Sequence, residues 1–260
     1  MTEPCPSEFI AFAHRLADCA GEIALAHFRA AIDVERKGDL SPVTVADRGA
    51  EEALRALVAK HHPAHGVVGE EFGPHQPDAE FVWVFDPIDG TRAFVSGNPQ
   101  FGNLVALLHG GVPIVGVINM PAQHERWIGA KGQGTQHRDS RGQQSVSTRA
   151  CPRLDQAIFR TQVLMLKEPE VFARVHEKVG DTLVGGDCFA FGQIASGWLD
   201  MVVDAGLGTF DYLPLVCVVE EAGGCISDWQ GEPLGLESDG RVLASGDPRL
   251  HAAAIEMLAG

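Results

Sequence analysis

Basic side chains are in short supply. Lys and Arg number 20 against 35 Asp and Glu, for a formal net charge of -15. A surface of that sign repels nucleic-acid phosphates and anionic lipid, so a principal role on either is disfavoured. Paired cysteines are also missing: Cys5, Cys19, Cys151, Cys188, Cys217 and Cys225 are scattered, with no C-x-x-C and no metal-ligand spacing. Free thiols in a reducing cytoplasmic compartment are the expectation. The opening MTEPCPSEF lacks the basic start and apolar core of a signal peptide, which points the same way. The stretch from 93 to 124 carries no Asp, Glu, Lys or Arg, yet Pro99, Gly110, Gly111, Pro113 and Pro121 break it into strands and turns. There is no internal repeat and no low-complexity tract. His61, His62 and His65 lie close together, but their spacing suits no common zinc motif and reads as a solvated helix end. What is present is ordinary globular usage, 45% hydrophobic and 21% charged over 260 residues. That length buries a core without disulfides or structural metal.

Periodicity places Ser7 as the cap of a helix with apolar face Phe9, Phe12, Leu16, Ala20 and Ile23, ending near Phe28. Residues 34–43 read as a loop. Thr44 opens a second helix, and Asp47 three residues on has the spacing of a capping box. Apolar runs at 66–69 and 81–85 read as strands that deliver Glu70-Glu71 and Asp86, and 103–108 with 114–118 as an antiparallel hairpin. A short strand at 127–130 precedes a Gly-rich surface loop and edge strand over 132–147. Beyond Cys151 strands at 157–161, 182–184, 201–203 and 242–244 alternate with helices at 169–179, 189–196 and 212–222. A last helix starts at Asp247-Pro248. The change of pattern predicts an α+β half over 1–150 and an α/β half over 151–260, packed as layers in one compact unit.

The chemical signal is a set of acids at the ends of apolar strands. Asp86 ends the run 81–85, and Pro87 forbids continuation as an ordinary helix. Asp89 follows three residues later, so a tight turn aims both carboxylates at one place. Gly90-Thr91 offers exposed backbone N–H groups suited to phosphate oxygens. Divalent ions held by such carboxylates speed hydrolysis of phosphate esters. Taken singly, each acid has a plainer role: Asp89-Gly90 as a turn, Asp187 and Asp211 as helix caps, Glu70 as a solvated loop acid.

The segment WVFDPIDGTRAF resembles the D-P-x-D-G-T signature of the inositol monophosphatase family. Gly69-Glu70-Glu71 resembles its upstream G-E-E, and Val45-Ala46-Asp47 its T-x-x-D before a helix. Phe210-Asp211 with Glu221-Ala222-Gly223-Gly224 resembles its W-D…EAGG, with Phe in place of Trp. The resemblance implies a layered α-β-α-β-α sandwich, commonly a homodimer. It implies that Glu70, Asp86 and the Ile88 carbonyl hold one Mg2+, and that Asp86, Asp89 and Asp211 hold a second. A third, weaker ion leans on Glu70. Spacing does not choose between Glu70 and Glu71; the family pattern points to Glu70. By the same resemblance Asp47 and Thr91 form a hydrogen-bonded pair that deprotonates the attacking water, and Gly90 and Thr91 N–H groups hold the phosphate.

Arg92 with the continuation AFVSGNPQFGNLVALL is similar to the histidinol-phosphatase branch of that family. So are Gly186-Asp187-Cys188-Phe189-Ala190 and Val202-Val203-Asp204-Ala205-Gly206-Leu207, where Asp204 stands for a usual Glu. Histidinol carries an ammonium group and an imidazole, and Asp187 and Asp204 would pair with that charge. The substrate expected is therefore a small, cationic phosphate ester, histidinol phosphate, placing the chain in histidine biosynthesis. The alternatives are an inositol monophosphatase, a 3'(2'),5'-bisphosphate nucleotidase and, from another class, a regulatory binding protein that has lost catalysis.

Overall fold

The computed structural model describes residues 4–30, 34–36, 42–162 and 167–259. Helix α1 (Ser7–His27) starts one residue earlier than a Ser7 cap requires. Pro6 holds the cap position without a side-chain bond, and Ser7 is the first helical residue. Strands β1 (Val34–Arg36) and β2 (Pro42–Thr44) pair antiparallel, so part of the segment read as loop is a small ribbon. Residues 37–41 lie outside the described residues. Helix α2 (Val45–His61) carries the capping box expected of Thr44 and Asp47.

An eight-stranded sheet follows: β3 (Gly66–Gly69), β4 (Gly73–His75), β5 (Phe81–Asp89), β6 (Gly102–His109), β7 (Val112–Met120), β8 (Glu125–Ala130), β9 (Gly134–Asp139) and β10 (Gly142–Val146). Its order is β10-β9-β8-β7-β6-β5-β3-β4, antiparallel except for the β3–β5 pair. The Gly-rich stretch after Ala130 is thus a strand pair, β9 with β10, where a loop and one strand were expected. Polar side chains suit it, because β10 is a largely exposed edge. The short helix α3 (Thr91–Val95) leaves the end of β5.

The second sheet has order β12-β11-β13-β15-β14, from β11 (Ile158–Thr161), β12 (Asp181–Val184), β13 (Met201–Asp204), β14 (Cys225–Ser227) and β15 (Val242–Ser245). Helices α4 (Pro169–Lys178), α5 (Phe189–Ala195), α6 (Thr209–Glu220) and α7 (Pro248–Ala259) complete the fold.

Alternation along the strands fixes the layers. Trp83 and Phe85 face Phe12, Leu16 and Leu54 of α1 and α2. Val82 and Val84 face the opposite way, with Phe191, Ile194, Leu213 and Val216 of α5 and α6. In the second sheet Val202 and Ala244 close on that same central layer, whereas Met201, Val203 and Leu243 meet Leu250 and Ala254 of α7. The result is the layered α-β-α-β-α sandwich. Sandwiched between two sheets, α6 is buried from Tyr212 through Val219, which explains its apolar residues on every side. Among the described residues no helix is long and apolar enough to cross a membrane.

Gly116 and Gly129 face each other on β7 and β8 and form a notch for α6. A Cβ on Gly116 would lie 2.1 Å from the Pro214 carbonyl oxygen, and one on Gly129 2.1 Å from that of Cys217. Gly129→Ala must push helix backbone off the sheet and is expected to cost roughly 1–3 kcal/mol in urea denaturation. Gly49→Ala on α2, where a Cβ meets nothing within 4 Å, is expected to stabilise by up to roughly 1 kcal/mol.

Candidate active site

Strand register brings the first acids together. β3 and β5 run parallel with Gly69 beside Phe85, so the next residues, Glu70 and Asp86, leave adjacent strand ends. Asp86 and Asp89, three apart, would point to opposite faces of a regular strand. Asp86 pairs with Leu104 and Asp89 with Gly102, so β5 advances one residue more than β6. This bulge turns both carboxylates to one side. The Asp86–Asp89 segment expected as a turn is therefore a bulged continuation of β5. Pro87 fits there because a bulge does not require its missing N–H. The Pro87 carbonyl accepts from buried Asn103 Nδ2 at 2.6 Å, and the Ile88 N–H donates to Asp86 Oδ1 at 2.9 Å. Behind the bulge a buried polar ladder crosses the sheet: Asn119 Nδ2 donates to Asn103 Oδ1, and Arg126 Nε donates to Asn119 Oδ1.

Helix α6 supplies Asp211. The helix begins at Thr209, not Tyr212, which makes Asp211 its third residue. Its Oδ2 accepts from the Gly208 N–H at 2.7 Å, and its carboxyl group also shares a side-chain hydrogen bond with that of Asp86. Asp86, Asp89 and Asp211 then present oxygens that all lie within 4.8 Å of one another. Asp89 Oδ2 also accepts from the Cys188 N–H at 2.7 Å, which ties the bulge to the start of α5.

These carboxylates line a cavity of about 420 Å³ with Glu70, the Ile88 backbone, Gly90, Thr91, Arg92 and Asp187. Glu70 lines it and Glu71 does not. Asp187 is no helix cap: Cys188 holds that position, and no side chain caps α5. Gly185, Gly186 and Asp187 adopt successive positive φ values of 89°, 112° and 41°. For Asp187 that conformation is strained, and it sets the carboxylate 2.9 Å from where a Cβ on Gly90 would stand. Among the described residues no protein group donates a hydrogen bond to the Asp187 carboxylate. Arg92 is exposed at the cavity's edge.

Two expected placements differ. Asp204 does not line the cavity; it is buried behind the wall, where Oδ1 accepts from Thr161 Oγ1 and the Gln162 N–H. Its Oδ2 is buried without a partner. Asp47 and Thr91 are not bonded to each other. Asp47 Oδ2 takes the Thr44 N–H and hydroxyl at 2.8 and 2.6 Å, whereas the Thr91 hydroxyl donates to the Ile88 carbonyl at 3.0 Å. The capping box holds one Asp47 oxygen and leaves Oδ1 buried and unpaired.

Sequence reading missed Gln100, Gln162 and the Gly185 backbone, all of which line the cavity. It also missed Arg160, whose guanidinium lies against Gly186 and whose Nε is buried without a partner. The Gly185-Gly186 pair was the available signal for that wall. Nothing in a lone Arg on a strand marks Arg160, which lies behind Gly186 and does not line the cavity.

Burial is the largest influence on Asp86, Asp89, Asp187, Asp204 and Asp211. It raises Asp89 and Asp211 to about 7, each raised further by the other's charge or by Glu70. Asp86 is pushed well up by burial, then by Glu70, Asp211 and Asp89. Asp187 and Asp204 are likewise raised to about 7 by burial. So many acids cannot all carry charge side by side without positive charge among them. An oxygen-only donor set with that deficit fits a hard divalent cation.

Relatives agree with this architecture. An inositol monophosphatase from Zymomonas mobilis superposes with a TM-score of 0.88 at 44% identity, covering 98% of each chain. The chain belongs to the inositol monophosphatase family, whose model matches residues 6–259. It is 42% identical to the chloroplastic bifunctional phosphatase IMPL2 of Arabidopsis thaliana over 96% of this chain and 75% of that one. It is 35% identical to a histidinol-phosphatase of Chlorobaculum parvum over 88% and 89% of the two chains.

Asp204 allows a pH test away from the carboxylate cluster. Its folded value near 7 stands above the ordinary 3.8, so the fold favours the protonated form. That contribution is complete below the unfolded value and is lost as pH rises to about 7. Asp204→Asn keeps an acceptor and does not titrate. In urea denaturation without metal, the variant is expected to gain on wild type by roughly 1 kcal/mol per pH unit between about pH 4 and 7, with no further gain above.

Proposed function

We propose that the protein is a magnesium-dependent phosphate monoester hydrolase whose substrate is histidinol phosphate. The observation that carries the substrate is Asp187: a carboxylate held on strained backbone, open to the cavity and without a protein donor. Strain at such a point is retained where the surrounding structure has a use for it. Arg92 and Arg160 act on it through their charge without hydrogen-bonding to it, and a ligand with an ammonium or imidazolium group would supply the missing hydrogen bond. Curated relatives named histidinol-phosphatase at 35% identity support the same reading.

Asp86, Asp89 and Asp211 would hold one ion, and Glu70, Asp86 and the Ile88 carbonyl another. When bound, Mg2+ supplies screening of the phosphoryl oxygens and a lowered pKa for water. The chain's own groups do the rest. Gly90 and Thr91 line the cavity at the start of α3, where their N–H groups would hold the phosphate. Asp47, which does not itself line the cavity, holds a buried and unpaired Oδ1 that would take a proton from the attacking water, and the Thr91 hydroxyl, now on the Ile88 carbonyl, would orient that water. The attack is in line on phosphorus, without a covalent enzyme intermediate. Asp187 orients the cationic end of the alcohol, and Asp204 shapes the wall through its bond to the Gln162 N–H.

Phosphate release measured side by side on histidinol phosphate, inositol phosphate and adenosine bisphosphate tests the assignment. Histidinol phosphate is expected to have the highest kcat/KM, and a preference for either other ester would replace the substrate named here. Asp187→Ala is expected to raise KM for histidinol phosphate about tenfold or more and to change KM for the neutral ester little. Equal losses on both would remove the charge-pairing argument. Asp86→Asn is expected to abolish turnover with unchanged circular dichroism, as is treatment of the wild type with a chelator. Activity near the wild-type level in either case would contradict the metal assignment.

A further inference from the structure

One buried acid in the helix next to the site has no part in the chemistry above. Glu51 lies one turn beyond Asp47 on α2, on the same face, and its side chain is fully buried. It does not line the cavity. Its carboxylate instead fills the mouth of the β3–β4 hairpin, where Gly69 pairs with Gly73 across residues 70–72. Glu51 Oε2 accepts from the Glu71 N–H at 2.7 Å, and Oε1 accepts from the Phe72 N–H at 3.2 Å. Arg55, one further turn along α2, donates Nε to Oε1 at 2.7 Å. The same guanidinium donates Nη2 to the Gly73 carbonyl, and stands 6.0 Å from the Phe72 ring centroid. Two side chains of one helix therefore grip successive backbone groups of the loop that carries Glu70: N–H of 71 and 72 through Glu51, C=O of 73 through Arg55.

Gly69 belongs to the same device. Its φ is not positive, so backbone conformation does not demand glycine. A Cβ there would lie 2.1 Å from Glu51 Oε1 and 2.7 Å from Oε2. The glycine before Glu70 makes room for the buried carboxylate.

We propose that the Glu51–Arg55 pair is the positioning element for Glu70, and that it sets the affinity of the site for a divalent cation without touching ion or substrate. Glu70 is the only proposed ligand on a hairpin loop; Asp86, Asp89 and the Ile88 carbonyl sit on a central strand and Asp211 on a buried helix. A loop ligand left to itself would lose freedom on each binding event, whereas one whose flanking amides are already fixed does not. Partners behind a metal ligand typically govern affinity by 10- to 100-fold. Glu51→Gln exposes the device, because the amide keeps one oxygen but turns an N–H2 toward a backbone or guanidinium donor.

The inference rests on the metal-site reading, and the experiment separates the two. Calorimetric titration of the full-length protein with Mn2+ and Mg2+, in the absence of substrate, reads binding directly, and thermal melting of each variant in chelator reads the fold. In Glu51→Gln the cation dissociation constant is expected to rise about tenfold or more, with activity largely recovered at saturating metal. Arg55→Gln releases the Gly73 carbonyl and the bond to Glu51 Oε1 but keeps both amides on Glu51, and is expected to give a smaller loss in the same direction, which keeps the test decisive should Glu51→Gln fold poorly. Asp86→Asn serves as the reference and is expected to remove binding. Isotherms of folded Glu51→Gln or Arg55→Gln superimposable on wild type, with only melting lowered, would assign the pair a structural role and overturn the proposal. Full cation binding by Asp86→Asn would instead overturn the metal site itself.

Discussion

Mutual repulsion among buried carboxylates is the constraint around which this molecule is arranged. Asp86, Asp89 and Asp211 hold oxygens within 4.8 Å of one another in a site that burial alone makes hostile to charge. Left to relax, such groups move apart or take up protons. Each is instead held by a backbone N–H on one oxygen: that of Ile88 on Asp86, Cys188 on Asp89 and Gly208 on Asp211, and Asp86 and Asp211 also share a side-chain hydrogen bond. The amides that anchor them are local to a bulge, to the start of α5 and to the start of α6. Folding thus assembles a concentration of negative charge that only a cation or protons can offset.

The surrounding architecture can be traced to that requirement. Parallel pairing of β3 with β5 in an otherwise antiparallel sheet sets Glu70 beside Asp86. A glycine notch lets α6 approach the sheet at backbone distance and carries Asp211 to the same crevice. The ladder of Asn103, Asn119 and Arg126 satisfies the Pro87 carbonyl, which the bulge would otherwise leave unpaired in the core. Asp47 and Glu51 show how one helix face serves two ends: the first keeps one buried oxygen unpaired, the second uses both on backbone amides.

Several features take a different role in the fold from the one their local sequence suggests. Pro87 marks a bulge, and Gly69 marks a carboxylate packed against its Cα. The polar stretch after Ala130 is an edge strand pair, because an edge tolerates polar residues on both faces. Ser7 follows the cap position it was expected to fill, since Pro6 already has the required backbone. Asp204 looked like a substrate contact, and the strand end does carry it toward the site. Its shorter side chain, however, is spent on Thr161 and Gln162 behind the wall.

The sequence by itself determined the acids at strand ends and the family, and through that resemblance the layered sandwich, because apolar runs and D-P-x-D-G-T are local patterns that survive without coordinates. It also fixed the capping box at Thr44 and Asp47, whose partners are three residues apart. Only the tertiary structure decided that Asp211 meets Asp86 and Asp89, that Glu70 and not Glu71 lines the cavity, and that Glu51 lies beneath the loop between them. Those contacts join residues far apart in the chain, and their geometry depends on strand register and on backbone approaches of a few ångströms. Periodicity reports which face a side chain takes; it carries no information about which distant group waits on that face.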